Sequence, residues 1–318
     1  MSTHSRTILA ACLGLAALQA APASAQNARS FVSGTGNGTA CTRAAPCATF
    51  QLAHAVTNAG GEINCLDAAE YGGLAITKSI AINCESARAG VTVPGGGFGI
   101  SIAGAASDIV HISGVDVQTG TNGVGIAVSG NVVGELHLRN VSIRNSVGPG
   151  ATGVAFNPNN VSQLVIKDST ISNFGDGIGV APNAPGAANV HLSRVRIENN
   201  ANGVFANGAG SNIGININMQ DSLITGNTSA GVRASSLNGQ AGINISIISS
   251  QVSGNFGPGL KADQAGSGFA SIRVGASMIS ANASAIAFTG GGHVRSFGNN
   301  QVNSNGGGEA FTGTDLLK

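Results

Sequence analysis

A phrase of 23 to 28 residues recurs along most of this chain, and it limits the possible folds more than any other feature. From about residue 110 onward each repeat holds an alternating strand, a small or polar turn residue and a second short strand ending in Ile or Val, then Asn and Gly. The second strands close on Val117, Ile143, Ile171, Ile197, Ile224, Val252, Ile279 and Val302, at intervals of 26, 28, 26, 27, 28, 27 and 23 residues. A companion series keeps the same phase: Gly125-Ile126, Gly153-Val154, Gly177-Ile178, Gly203-Val204, Gly231-Val232, Gly259-Leu260 and Ala285-Ile286. Period-two strands without a sustained 3.6-residue period fit helical solenoids and leucine-rich horseshoes poorly, and propeller blades need about 40 residues. What remains is an all-β parallel solenoid, in which coils pair at about 4.8 Å and bury their inward side chains against one another.

Aligning the coils on the terminal Ile or Val lets columns be read. Three places before it stand Gly114, Asn140, Asp168, Arg194, Asp221, Ser249, Ala276 and Asn299, mostly residues that tolerate tight turns. Here Arg194 falls between Asp168 and Asp221, spaced for an ion ladder. Three places after it come Asn200, Asn227, Asn255, Asn282 and Asn305 on five successive coils. Stacked amides can bond one above another along the axis while satisfying the turn's backbone groups, so these five residues are read as an asparagine ladder.

With repeats ending Ile171-Ser172-Asn173, Ile197-Glu198-Asn199 and Ile224-Thr225-Gly226-Asn227, the chain resembles the pectate-lyase-like superfamily, and within it the exported β-helix repeat proteins of bacteria without an assigned activity. The resemblance covers residues 63 to 305. It implies a right-handed parallel β-helix, a single-stranded solenoid of about nine coils with a short N-terminal capping helix. For function it implies little, because this fold hosts lyases, hydrolases, esterases, adhesins and inert scaffolds.

The ends differ from the repeats. Arg6, the apolar Ile8 to Leu18 and Ala23-Ser24-Ala25 have the layout of a signal peptide over residues 1–25, with Gln26 as the mature start. Leu9-Ala10-Ala11-Cys12 resembles a lipoprotein box but leaves too little apolar segment before the cysteine. No segment reaches the ~20 apolar residues of a spanning helix. Residues 26–62 read as an N-terminal cap: Ala44 to Asn58 has Pro46 near its start, Phe50, Ala53 and Val56 on one helical face, and Gly60-Gly61 after its end. Residues 306–318 are a short C-terminal tail. Without Cys12, Cys41, Cys47, Cys65 and Cys84 remain, an even number that suggests two disulfides in an exported chain. Three connectivities are open; Cys41 with Cys47 is favoured because the loop between them closes locally, leaving Cys65 for Cys84. The spacing lacks a CxxC, so zinc is a weak rival.

The chemistry is sparse. Fifteen Lys and Arg against 14 Asp and Glu leave a charge of +1, so no basic field points to nucleic acid. The Asn-x-Asp, Asp-Asp and Gly-His-Gly elements of polygalacturonases are missing, Gly291-Gly292-His293 being the nearest approach. Asp168 and Asp221 lie two coils apart, about 9.6 Å along the axis, a spacing that would suit an inverting hydrolase with Arg194 binding an anionic sugar. The competing and preferred reading is a turn row neutralised by Arg194. Asp116, Asp176 and Asp263 read as isolated turn carboxylates. His111 and His137 occupy matching places on successive coils, where a surface metal pair competes with solvated decoration; His191 and His293 sit beside other strands. Phe156, Phe174, Phe205, Phe256 and Phe288 recur near the Gly-Ile column and read as core.

The sequence therefore describes an exported, non-catalytic scaffold or interaction protein of the cell surface, periplasm or medium, without catalytic, cofactor or metal residues. A polysaccharide lyase or glycoside hydrolase using Asp168, Arg194 and Asp221, with Ca2+ only in the lyase case, is the alternative, and a polysaccharide-binding module the third reading. The partners to expect are extracellular polysaccharide or cell-surface components. The sequence does not name a ligand or an oligomeric state.

Overall fold

The computed structural model describes residues 27–130, 133–145, 150–211, 213–237, 240 and 242–316; the signal-peptide reading lies outside them. The chain winds as a right-handed parallel β-helix with three parallel sheets. Sheet 1 holds twelve strands, from Asn27–Val32 to Gly313–Thr314. Sheets 2 and 3 hold nine each, from Ala89–Val93 to Gln301–Asn303 and from Leu74–Ile76 to Ser284–Thr289. With partial coils at both ends this makes about ten turns.

A typical coil runs from sheet 1 through a two-residue corner to sheet 2, through a second corner to sheet 3, and back through a longer loop. The first corner needs a left-handed residue: Asn140, Asp168, Arg194, Asp221, Ser249 and Ala276 all have φ between 48° and 54°. Inward residues are aliphatic and closed off from solvent, as in the column Ile143, Ile171, Ile197, Ile224, Val252 and Ile279.

The second corner carries the amide column. Asn227 Oδ1 accepts from the Asn200 backbone N–H at 3.0 Å and from Asn200 Nδ2 at 3.1 Å. The pattern repeats from Asn227 to Asn255 (3.0 and 2.8 Å), Asn255 to Asn282 (3.1 and 2.7 Å) and Asn282 to Asn305 (3.1 and 3.0 Å). Asn200 Oδ1 in turn accepts from the Phe174 backbone at 2.9 Å. The companion glycines are explained by the same crowding. A Cβ on Gly177 would stand 2.7 Å from the Gly203 carbonyl oxygen, 2.8 Å from Ile197 Cγ2 and 2.9 Å from Asn200 Nδ2.

The first corner has a ladder of its own, made of the serines that follow the left-handed residue. Ser222, Ser250 and Ser277 each accept, at 3.1 Å, from a backbone N–H of the preceding coil, and each hydroxyl donates to a carbonyl two residues back. Serine after the turn residue in four coils was the visible signal, and the sequence reading did not use it.

At the N-terminus the helix is Phe50–Val56, shorter than the Ala44 to Asn58 of the sequence reading. The Cys41–Cys47 disulfide and the bridge of Cys47 to Val32 hold the preceding segment out of helical conformation, and Thr49 caps the helix by accepting from the Leu52 N–H at 3.2 Å. Cys65–Cys84 links the first two turns. Phe50, Ala53 and, unforeseen, His54 face the core. Burial, with the charge of Lys78 second, lowers the His54 pKa to about 4; its ring accepts from the Thr77 N–H at 3.4 Å. At the other end the tail folds back. Gly307 and Gly308 accept from Ala285 and Ile286, Phe311 packs on the core, and Asp315 pairs with both Arg273 (3.1 Å) and Arg295 (2.7 Å).

Two predictions follow from these contacts. Asn227→Ala strips buried N–H groups of their acceptor and should cost roughly 2–4 kcal/mol in denaturant unfolding, whereas exposed Asn218→Ala should stay within about 0.5 kcal/mol. The unfolded chain protonates His54 near pH 6.5 while the folded chain refuses the proton down to about pH 4. Stability should therefore fall as pH drops across that window, with roughly 3 kcal/mol from this residue. In His54→Gln the pH profile of unfolding should be flatter by that amount.

Candidate functional site

The first-corner row contains Asp168, Arg194 and Asp221. Arg194 grips Asp168 with two bonds, Nε to Oδ1 at 2.6 Å and Nη2 to Oδ2 at 3.1 Å. Asp221 instead accepts from Gln220 Nε2 at 3.0 Å, so the three residues do not close into a hydrogen-bonded ladder. All three are exposed. The bonded Arg194 guanidinium holds the Asp168 carboxyl below the usual carboxylate range. A hollow of about 560 Å³ borders Asp221, Ser249, Gln251 and Asn299 over the serine ladder. The hydroxyls of Ser222, Ser250 and Ser277 are committed to the backbone as both donors and acceptors, which leaves them unsuited to nucleophilic work.

The outward face of sheet 1 is the better-furnished surface. Because the strands are parallel and in register, one outward column reads Glu62, Ala81, His111, His137, Val165, His191, Asn218, Ser246, Arg273 and Arg295. The neighbouring column reads Asn83, Ser113, Arg139, Lys167, Ser193 and Gln220. A second amide row, Asn189, Asn216 and Asn244, runs on the other side, with Asn216 Nδ2 donating to Asn189 Oδ1 at 3.2 Å.

Two hollows lie in line along this face. The first, about 330 Å³, is lined by Glu62, Asn83, His111, His137, Arg139 and Lys167 among others. The second, about 340 Å³, is lined by His191, Ser193, Asn218, Gln220 and Ser246 over an apolar floor. The His111 and His137 rings stack at 4.5 Å, and His137 Nε2 sits 2.9 Å from Glu135 Oε2. Burial, and next the neighbouring His137, lower the His111 pKa. Calcium does not fit this donor set: Glu62 is held by Arg29 and Asn83, Glu85 by Arg139, and Glu135 by His137. Among the described residues no group of three or more His, Cys, Asp or Glu could hold a metal, and no helix is long and apolar enough to cross a membrane.

Several residues take places that the sequence reading did not give them. Asp116, Asp176 and Asp263 lie within the strands Val115–Thr119, Phe174–Val180 and Pro258–Gln264 and not at turns, and two of them pair with cations: Arg144 reaches Asp116 at 2.7 Å from the next coil, and Arg233 and Lys261 reach Asp263 at 2.9 and 3.6 Å. Register across coils makes the Arg144 and Arg233 pairs, which linear spacing hides, while Lys261 lies on the same strand as Asp263. Of the five phenylalanines only Phe156 and Phe174 are core; Phe256 and Phe288 are exposed, and Phe205 stands half-buried on the outer face of sheet 3. His293 lies against Phe269, with ring centroids 6.3 Å apart.

The fold is that of the pectate lyase-like β-helices. The structure is similar to the pectate lyase Pel9A, with a TM-score of 0.61 and 16% identity over 92% of this chain and 79% of that one. It is also similar to an alginate lyase from Paenibacillus sp. str. FPU-7, with a TM-score of 0.51 and 14% identity over 91% of this chain and 100% of that one. No protein-family model matches the sequence, and no curated protein matches it.

The exposed Asp168 and Arg194 pair should contribute little to folding. Asp168→Asn and Arg194→Ala are each expected to leave the unfolding midpoint where it is, which differential scanning calorimetry at pH 7 would check.

Proposed function

We propose that this protein is an exported, non-catalytic β-helix that binds an extended polysaccharide along the outward face of sheet 1. The observation that carries the reading is the pair of aligned hollows, whose histidine, amide and hydroxyl side chains recur coil by coil. A polymer lying along the axis meets the same class of hydrogen-bonding group about every 4.8 Å. The two disulfides support an oxidising location such as periplasm, cell surface or medium. The lyases similar in structure act on polysaccharides, and they agree with the reading at the level of fold.

Hydrolysis by Asp168 and Asp221 is disfavoured. Arg194 occupies both Asp168 oxygens and lowers its pKa, so Asp168 is unsuited to act as the acid and is not free to act as the base or nucleophile. A lyase is the second reading, and it draws on the first hollow, where Arg139 and Lys167 stand beside His137. Cations there would neutralise a sugar carboxylate while an imidazole took a proton.

Purified protein should bind members of a panel of acidic and neutral polysaccharides in affinity electrophoresis without releasing reducing ends or unsaturated products, with or without calcium. The doubly substituted His191→Ala, Asn218→Ala protein should bind about tenfold more weakly. Product formation abolished by His137→Ala or Lys167→Ala would replace this reading with the lyase, and failure to bind any polymer would refute it.

A further inference from the structure

Sheet 3 carries a recess of its own, on a different face from the hollows above. Its outward columns are Ala127, Ala155, Gly179, Phe205, Arg233 and Lys261, and, beside them, Ser129, Asn157, Asn207, Ser235 and Asp263. The first column passes from no side chain at Gly179 to a full aromatic ring at Phe205 on the next coil. That step opens a dent of about 150 Å³, lined by Thr152, Asn157, Asp176, Gly179, Phe205 and Asn207 among others.

The groups around the dent have bonding capacity to spare. Asn202 Nδ2 donates to Asp176 Oδ1 at 2.8 Å, while Asp176 Oδ2 lies 3.8 Å from where a Cβ on Gly179 would stand, and so faces the floor. Asn207 Oδ1 accepts from the Ala209 N–H at 3.0 Å, which leaves its Nδ2 available. Among the described residues the side chains of Thr152 and Asn157 bond no other protein group. Arg233 covers one face of Phe205, its Cζ 5.0 Å from the ring centroid, and is drawn off the recess by its 2.9 Å pair with Asp263. Phe205 and Gly179 stand side by side on adjacent coils and line the same recess.

We infer that this recess binds a single neutral pyranose unit, such as a chain end or side branch, with its C–H face on Phe205 and its hydroxyls on Asn157, Asp176 and Asn207. Aromatic stacking beside a few placed polar groups is the chemistry that holds a ring presenting one apolar face and a polar rim. The volume lies below the ~300 Å³ of ordinary ligand pockets, so one ring fits and a polymer does not. An acidic sugar is disfavoured by Asp176. The same burial that raises that carboxyl's pKa would also penalise a second charged group brought into the recess. The second outward column explains the width: Asn157 and Asn207 stand two coils apart, about 9.6 Å, on either side of the coil that carries Gly179.

The test is a titration of the purified protein with methyl α-glucopyranoside, methyl β-galactopyranoside and methyl α-mannopyranoside, followed by amide NMR. At least one glycoside should give saturable shifts confined to residues near 152–157, 176–181 and 205–207, with affinity in the millimolar range. Gly179→Val fills the dent from a position without positive φ, its Cβ 3.3 Å from the rotatable Thr152 Cγ2, and should abolish the shifts. Phe205→Ala and Asn157→Ala should each weaken binding about tenfold, with unchanged far-ultraviolet circular dichroism. The sheet 1 variant His191→Ala, Asn218→Ala should bind these glycosides as the parent does, which separates this site from the polymer face. No saturable shift with any glycoside, or equal shifts in folded Gly179→Val, would overturn the inference.

Discussion

The rest of this structure depends on a column of buried amides at the corner between sheets 2 and 3. From Asn227 to Asn305 each asparagine oxygen takes the backbone N–H and the side-chain N–H of the asparagine one coil before it, so the corner is satisfied only when neighbouring coils sit at strand spacing and in register. Buried polar groups left unpaired are costly, and a slipped coil would unpair two at once. The glycines opposite follow from the same close approach, because a side chain there would strike the next coil's backbone and the amide itself. The core, the serine ladder and the outer faces all inherit their alignment from this corner.

Alignment has a chemical consequence on the outside. In a parallel stack, residues some 27 apart in sequence stand side by side, and a face acquires columns rather than clusters. Columns suit extended ligands that offer repeated groups. They are poorly suited to gathering two carboxylates and a nucleophile around one atom, which needs loops that leave the stack. The charged residues that the columns do bring together mostly neutralise one another, as Arg144 does Asp116 and Arg233 does Asp263.

A solenoid must also end. At the start, the helix Phe50–Val56 and two disulfides close the first turns over Phe50 and Tyr71, whose rings lie 5.1 Å apart. At the finish the chain turns back, laying Gly307 and Gly308 along the last strand of sheet 3 and Gly313–Thr314 along sheet 1. Both devices cover backbone groups that would otherwise pair with another chain.

By itself the sequence determined the repeat, the parallel stacking, the amide column and the pairing of cysteines favoured above. These rest on local rules: side-chain period, tolerance of a left-handed turn, and a residue recurring once per coil. What only the tertiary structure decided is which residues face one another across coils and which side of a strand they occupy. The His111 and His137 stack was half visible as matching places, but the in-line hollows on sheet 1 and the Gly179 and Phe205 step were not. Successive places along a strand alternate between core and surface, and register puts Phe174 at the start of its strand, sealed in the core, but Phe205 in the outward column of Ala155 and Gly179, beside a recess. The register that makes that choice is set by hydrogen bonds between coils, and these exist only once the chain has wound.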